Sequence, residues 1–265
     1  ADARSLAAVN PKNGAKFLLT HNYTGYPLVR QARELVKSGA LGKLRVVQVE
    51  YPQDWLSTPA DPGNKQAAWR TDPKRSGAGG AIGDIGTHAY NLARFVTGLK
   101  TDAVSADLQS FVKGRKVDDN VHILLRFAGG ARGMLWASQV APGNGNGLQL
   151  RVYGEKAGLS WRQDNPNQMW FTELGKPAQL LTRGGAISQP PAASMNVRIP
   201  GGHPEGYLEA FATLYSQFAA VIRGEGKAFV PLLPTLADGV EGVEFITASI
   251  ASSKNDGKWT KLSEA

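Results

Sequence analysis

From Val121 onward the sequence changes period. Val121, Ile123, Leu125 and Phe127 are apolar, and His122, Leu124 and Arg126 stand between them. Side chains that alternate in this way point to opposite faces of a strand, so one face is committed to a core. The pattern returns at Leu148, Leu150 and Val152, and shorter runs follow at Leu159–Trp161, Met169–Phe171 and Gln179–Leu181. Gly129-Gly130 supplies a turn ahead of Met134-Leu135-Trp136-Ala137. The stretch from Thr101 to about Thr182 is therefore expected to be a meander of mostly antiparallel strands. Such a sheet needs a second layer against its apolar face. Its other face is mixed. Leu124, Leu135 or Trp136, and Tyr153 make it more apolar than contact with water requires, which points to a subunit interface.

The helical layer is found on either side of this stretch. Tyr26 to Lys37 carries Leu28, Val29, Ala32, Leu35 and Val36 on one side and stops at Gly39. Leu44 to Tyr51 is β-branched and strand-like. Gly80 to Val96 has Ile82, Ile85, Ala89, Leu92 and Val96 at helical spacing, a core stripe. Pro204 to Arg223 and about Thr235 to Ser253 complete the set. Pro52 to Arg75 reads as a long loop packed down by Trp55 and Trp69, and residues 183–204 read as irregular. Residues 1–20 resemble half of a βαβ unit, a helix followed by the short strand Phe17–Thr20. The fold class is α+β, an open, mostly antiparallel sheet with helices packed on one face.

Composition removes several classes of function. With 42% hydrophobic and 20% charged residues the chain is an ordinary globular one. It has no cysteine, which rules out disulfides, a thiolate nucleophile and Cys-ligated metals, and fits a reducing, cytoplasmic setting. The net charge of +8 is scattered without a basic run, so no nucleic-acid partner is expected. No apolar run nears the roughly 18 residues of a membrane span.

Asp84 and His88 lie four residues apart at the start of the Gly80–Val96 helix, on a stripe with Asn91 and Phe95 beside the core stripe. A carboxylate near an imidazole tunes it for proton transfer. Asp84 could equally serve the helix dipole and His88 be a satisfied boundary residue. A metal site with His21 or His203 as a further ligand is a third reading. Gly77 to Gly83 is not G-x-G-x-x-G and follows no buried strand, so it reads as a flexible helix entry that lets backbone approach a ligand. His21, Asn22 and Tyr23 form a polar-aromatic cluster after Phe17–Thr20, with a ligand or a capping role. Trp69-Arg70 could stack on a sugar ring and pair with an oxyanion, or simply pack as a cation–π pair. His203 precedes Pro204-Glu205, with Glu205 suited to a first helical turn. His122 reads as structural.

Four segments together carry a resemblance: HNYTGYPLVRQARELVKSGALGK, WRTDPKRSGAGGAIGDIGTHAYNLARFVTG, VYGEKAGLSW and HPEGYLEAFATLY. In this order they resemble the C-terminal part of the Gfo/Idh/MocA family of NAD(P)-dependent sugar and cyclitol oxidoreductases, whose most specific mark is the D-x-x-x-H helix. The resemblance implies a dihydrodipicolinate-reductase-like substrate domain that oligomerises through its sheet, as a homodimer or homotetramer. It implies that His88 is the catalytic histidine and Asp84 the aspartate that holds and polarises the site. Trp69, Arg70 and His203 would contact a carbohydrate substrate, Asn22 and Tyr23 would lie beside the nicotinamide of NAD or NADP, and no metal is implied. The family's E-K-P-like lysine motif and Gly-rich loop are absent here. Residues 1–20 are accordingly expected to be the last helix and strand of a truncated Rossmann domain and residues 21–265 the substrate domain, inactive alone. A non-catalytic carbohydrate-binding module and a metal-dependent sugar isomerase are the alternatives.

Overall fold

The computed structural model describes residues 2–9, 12–61, 63–184 and 197–262. Its helices are α1 (Asp2–Ala7), α2 (Pro27–Lys37), α3 (Lys65–Arg70), α4 (Pro73–Ser76), α5 (Thr87–Thr97), α6 (Tyr207–Ile222) and α7 (Leu236–Lys254). Its strands are β1 (Leu44–Pro52), β2 (Thr101–Gln109), β3 (Asn120–Phe127), β4 (Arg132–Ser138), β5 (Gln149–Gly154), β6 (Ala157–Arg162), β7 (Gln168–Glu173), β8 (Gln179–Thr182) and β9 (Thr260–Lys261). The nine strands form one open sheet in the order β8-β7-β6-β5-β1-β4-β3-β2-β9. The only parallel pair in it is β1 with β4.

Alternation fixes the two faces as expected. Val121, Ile123, Leu125 and Phe127 of β3 are buried, and so are Val47 and Val49 of β1 and Leu150 and Val152 of β5. They pack beneath Leu28, Val29 and Ala32 of α2, Ala89, Leu92 and Val96 of α5, and Phe245 and Ala248 of α7 in one continuous core. The other face stays open. Leu124 (55% exposed) faces Met134 across β3–β4, and Trp170 (51%) faces Leu180 across β7–β8.

Four expectations are corrected. The meander is split, because β1 enters between β4 and β5; alternation shows which residues share a face but not which edges pair. Phe17–Thr20 forms no strand. It has no ladder partner among the described residues, and Leu19 N–H donates instead to the Pro234 carbonyl at 3.1 Å. Pro52–Arg75 contains α3 and α4, each opened by a side-chain cap. Asn64 Oδ1 accepts from Gln66 N–H and Ala67 N–H, and Asp72 Oδ1 from Lys74 N–H. Glu205 stands outside α6, buried beside Arg183 at 3.3 Å and accepting from Arg198 N–H and Ile199 N–H. Within residues 183–204, positions 185–196 lie outside the described residues.

The entry to the Asp84–His88 helix has its own explanation. Asp118, just before β3, accepts from Gly80 N–H (2.7 Å) and Ile82 N–H (2.8 Å). A Cβ on Gly80 would sit 2.1 Å from the Asp118 carbonyl oxygen. Gly80 thus lets the helix start close against Asp118. Ile82–Gly86 then makes a π-helical turn that runs into α5.

Candidate active site

The site forms where the first turn of this helix, the end of β1 and the tight turn Asn22–Gly25 converge. That turn is held from both sides. Thr24 N–H and Oγ1 both donate to the His21 carbonyl, and a Cβ on Gly25 would lie 2.3 Å from the Ala210 carbonyl of α6. The cleft enclosed has a volume of about 730 Å³.

Asp84 and His88 both line it, but they do not hydrogen-bond to each other. Asp84 Oδ2 accepts from Arg70 Nε and Gln139 Nε2, both at 2.8 Å. His88 Nδ1 meets His21 Nδ1 at 3.3 Å, with the rings edge to face. Asp84 lies inside the π-helical turn Ile82–Gly86, and His88 in the first turn of α5 that follows it. Asp84 acts on His88 through space, its charge favouring the imidazolium against burial.

Burial dominates the site's electrostatics. It lowers the His88 pKa, and with help from His88 it pushes His21 down to about 3. Burial likewise raises the Tyr23 and Tyr51 hydroxyls, which hydrogen-bond to each other. At neutral pH the site therefore presents neutral rings, and His88 is a neutral base. Both folded-state histidine pKa values lie below the unfolded value, so the unfolded chain binds more protons under mildly acidic conditions. The stability these histidines contribute is complete above about pH 6.5 and is lost as pH falls toward about 3. Thermal scans should show Tm falling between pH 7 and pH 5, and His21→Asn should flatten that slope. An unchanged slope in the variant would remove His21 from the account.

Six carboxamides line the cleft: Asn22, Gln53, Asn64, Gln66, Asn146 and Gln163. Several are linked in series. Trp55 Nε1 donates to Gln53 Oε1 (2.9 Å), Gln53 Nε2 to Asn146 Oδ1 (2.7 Å), Asn146 Nδ2 to Gln163 Oε1 (2.7 Å), and Gln163 Nε2 to the Tyr26 hydroxyl (3.2 Å). Arg70, the one cation in the lining among the described residues, is engaged by Asp84 and by Gln66 Oε1 at 2.6 Å. Asn22 is buried, and its Nδ2 has no hydrogen-bond partner among the described residues. Asn22 belongs to the cleft lining, with this Nδ2 buried behind the surface.

Of the residues singled out in the sequence, His88, Asp84, Arg70, Asn22 and Tyr23 are brought together here. Trp69 is not in the lining; its ring lies 4.2 Å under the Arg70 guanidinium, the cation–π alternative. His203 is exposed and is not among the lining residues, with its carbonyl accepting from Arg183. His122 stacks on Trp136 outside the cleft, in keeping with a structural role. Sequence reasoning missed Tyr51, Gln53, Trp55, Asn146, Gln163 and Tyr207. Gln53 follows the carboxyl end of a strand, where sites in such sheets gather, and that signal was available. Among the described residues no group of three or more His, Asp or Glu could hold a metal ion, and no helix is long and apolar enough to cross a membrane.

The sequence and the fold match known proteins. The GFO/IDH/MocA C-terminal domain family matches residues 29–160. An oxidoreductase structure from Sinorhizobium meliloti is 49% identical, with a TM-score of 0.85 over 98% of this chain and 68% of that one. An inositol dehydrogenase homolog from Azotobacter vinelandii, solved with NADH and myo-inositol, is 33% identical, with a TM-score of 0.87 over the same shares. Levoglucosan dehydrogenase of Pseudarthrobacter phenanthrenivorans is 28% identical over 61% of this chain and 46% of its own length. The chain belongs to the GFO/IDH/MocA family.

Proposed function

We propose that this chain supplies the substrate site of an NAD(P)-linked oxidoreductase acting on a secondary alcohol, or the matching ketone, of a neutral sugar or cyclitol. The observation that carries this reading is the cleft lining. Six carboxamides and a neutral imidazole surround one arginine already paired with Asp84. Carboxamides both donate and accept, as vicinal hydroxyls do. A phosphate or carboxylate would need an unpaired cation, which the lining does not offer. The myo-inositol and NADH bound by the Azotobacter homolog support the same class.

Oxidation of a carbinol removes a hydride from carbon and a proton from oxygen. His88 takes that proton as general base and returns it as general acid in the reverse direction. Asp84, fixed by Arg70 and Gln139, steadies the imidazolium through space. Asn22 and the Tyr23 ring, both in the cleft lining, would lie beside a nicotinamide. The nicotinamide, when bound, supplies hydride acceptance or donation. Tyr23, Tyr51 and Tyr207 line the same cleft, and the Tyr23 ring meets the imidazole edge-on.

The test is NAD(P)H formation by the complete enzyme, cofactor-binding region included, with matched neutral and charged substrates: myo-inositol and neutral pyranoses against sugar phosphates and uronates. Turnover is expected with neutral members. Preference for the charged ones, or binding of neutral sugars without any NAD(P)-linked turnover, would overturn the reading; the latter would favour a carbohydrate-binding module.

The open sheet face is proposed to pair with a second copy of the chain. Leu124→Glu combined with Trp170→Glu should yield a smaller sedimenting species with an unchanged circular dichroism spectrum. Sedimentation identical to that of the parent chain would refute this.

A further inference from the structure

We infer that His21 is a positioning residue, which accepts the Nδ1–H of His88 and so leaves His88 Nε2 unprotonated for the substrate. The inference rests on the proposed role of His88 as the proton-handling group. The two Nδ1 atoms are 3.3 Å apart, and between two facing imidazole nitrogens one must carry hydrogen and the other a lone pair. A general base needs its lone pair toward the substrate, so His88 must carry hydrogen on Nδ1, and His21 must offer its Nδ1 lone pair.

The surroundings support that assignment. The hydrogen bonds of Asp84 go to Arg70 and Gln139, and His88 Nδ1 pairs with His21 instead. His21 is held at the root of the Asn22–Gly25 turn by Thr24 and by its own N–H to the Leu19 carbonyl at 3.0 Å. The Tyr23 ring meets His88 edge-on at 5.3 Å and limits its rotation. The charged groups facing the pair are Asp84, which acts on His88, and Asp238, which acts on His21. Burial beside His88 keeps His21 neutral through the working range, so it remains an acceptor after His88 takes a proton. A neutral acceptor orients the base without the strong rise in basicity that a carboxylate partner brings.

Nitrogen-15 correlation spectra of the imidazoles in the 265-residue chain test this without any need for turnover. Expected are His88 with hydrogen on Nδ1 and a bare Nε2, and His21 with hydrogen on Nε2. His21→Asn, whose amide oxygen can accept, should keep the His88 tautomer. His21→Phe should release it. His88 protonated at Nε2 in the parent chain, or a tautomer indifferent to His21→Phe, overturns the inference. If His21→Phe does not fold, the parent spectrum alone decides.

In NAD(P)-linked turnover, His21→Phe should lower kcat at least about tenfold with KM within about twofold, and His21→Asn should stay within about threefold. An equal loss in both variants marks a purely structural role. If His88→Ala left kcat intact, the proposed function would fail, while the tautomer spectra would still stand or fall on their own.

Discussion

His88→Ala is expected to lower kcat/KM for the best neutral substrate by about 10²–10⁴-fold, the usual contribution of a positioned general acid–base. That corresponds to about 3–5 kcal/mol of transition-state stabilisation. Most of the loss should fall on kcat, because six carboxamides remain to bind the hydroxyls. The fold should persist. His88 is in the first turn of α5 at the edge of the cleft, while the core stripe of Ala89, Leu92 and Val96 lies on another side of the helix. The measurement is steady-state NAD(P)H kinetics with a melting curve as control. A kcat within about threefold of the parent value would remove His88 from the chemistry.

Gly80→Ala is expected to cost about 3 kcal/mol, at the upper end of overpacking effects, and to lower Tm by about 6–9 °C. The new Cβ would lie 2.1 Å from the Asp118 carbonyl oxygen and 2.7 Å from Val117 Cγ2. The first neighbour is backbone and cannot rotate away. Any retreat of Gly80 breaks its N–H bond to the Asp118 carboxylate and strains the one from Ile82 N–H. It also moves the turn that carries Asp84. Gly83→Ala is the control, since a Cβ there meets nothing within 4 Å. Equal Tm values for the two variants in differential scanning calorimetry would show that the close approach is unimportant.

The D-x-x-x-H helix was legible because its apolar spacing marks the buried side and leaves Asp84 and His88 beside it. The two sheet faces were legible because strand side chains alternate strictly. The caps at Asn64 and Asp72 were in the local sequence too, but the stretch around them was read as loop, and α3 and α4 were missed. What stayed hidden was long-range pairing. Nothing near His21 announces a partner 67 residues away, and nothing near Gln53 announces Asn146. The insertion of β1 between β4 and β5 was hidden for the same reason. Trp69 misled because a Trp-Arg dipeptide reads alike whether the ring faces a sugar or its own neighbour, and here it lies beneath the Arg70 guanidinium. The π turn left no periodic mark, and the partners that Asp84 and His88 take, Arg70 with Gln139 and His21, come from distant segments.

The central claim is that His88 meets the reacting hydroxyl of a neutral polyol in the amide-lined cleft. A crystal structure of the enzyme with NAD(H) and its best neutral substrate tests it most directly. The account predicts one substrate hydroxyl at about 2.6–3.2 Å from His88 Nε2, with neighbouring hydroxyls on the carboxamides. A substrate bound elsewhere, or seated in the cleft with no oxygen within reach of His88, would contradict it.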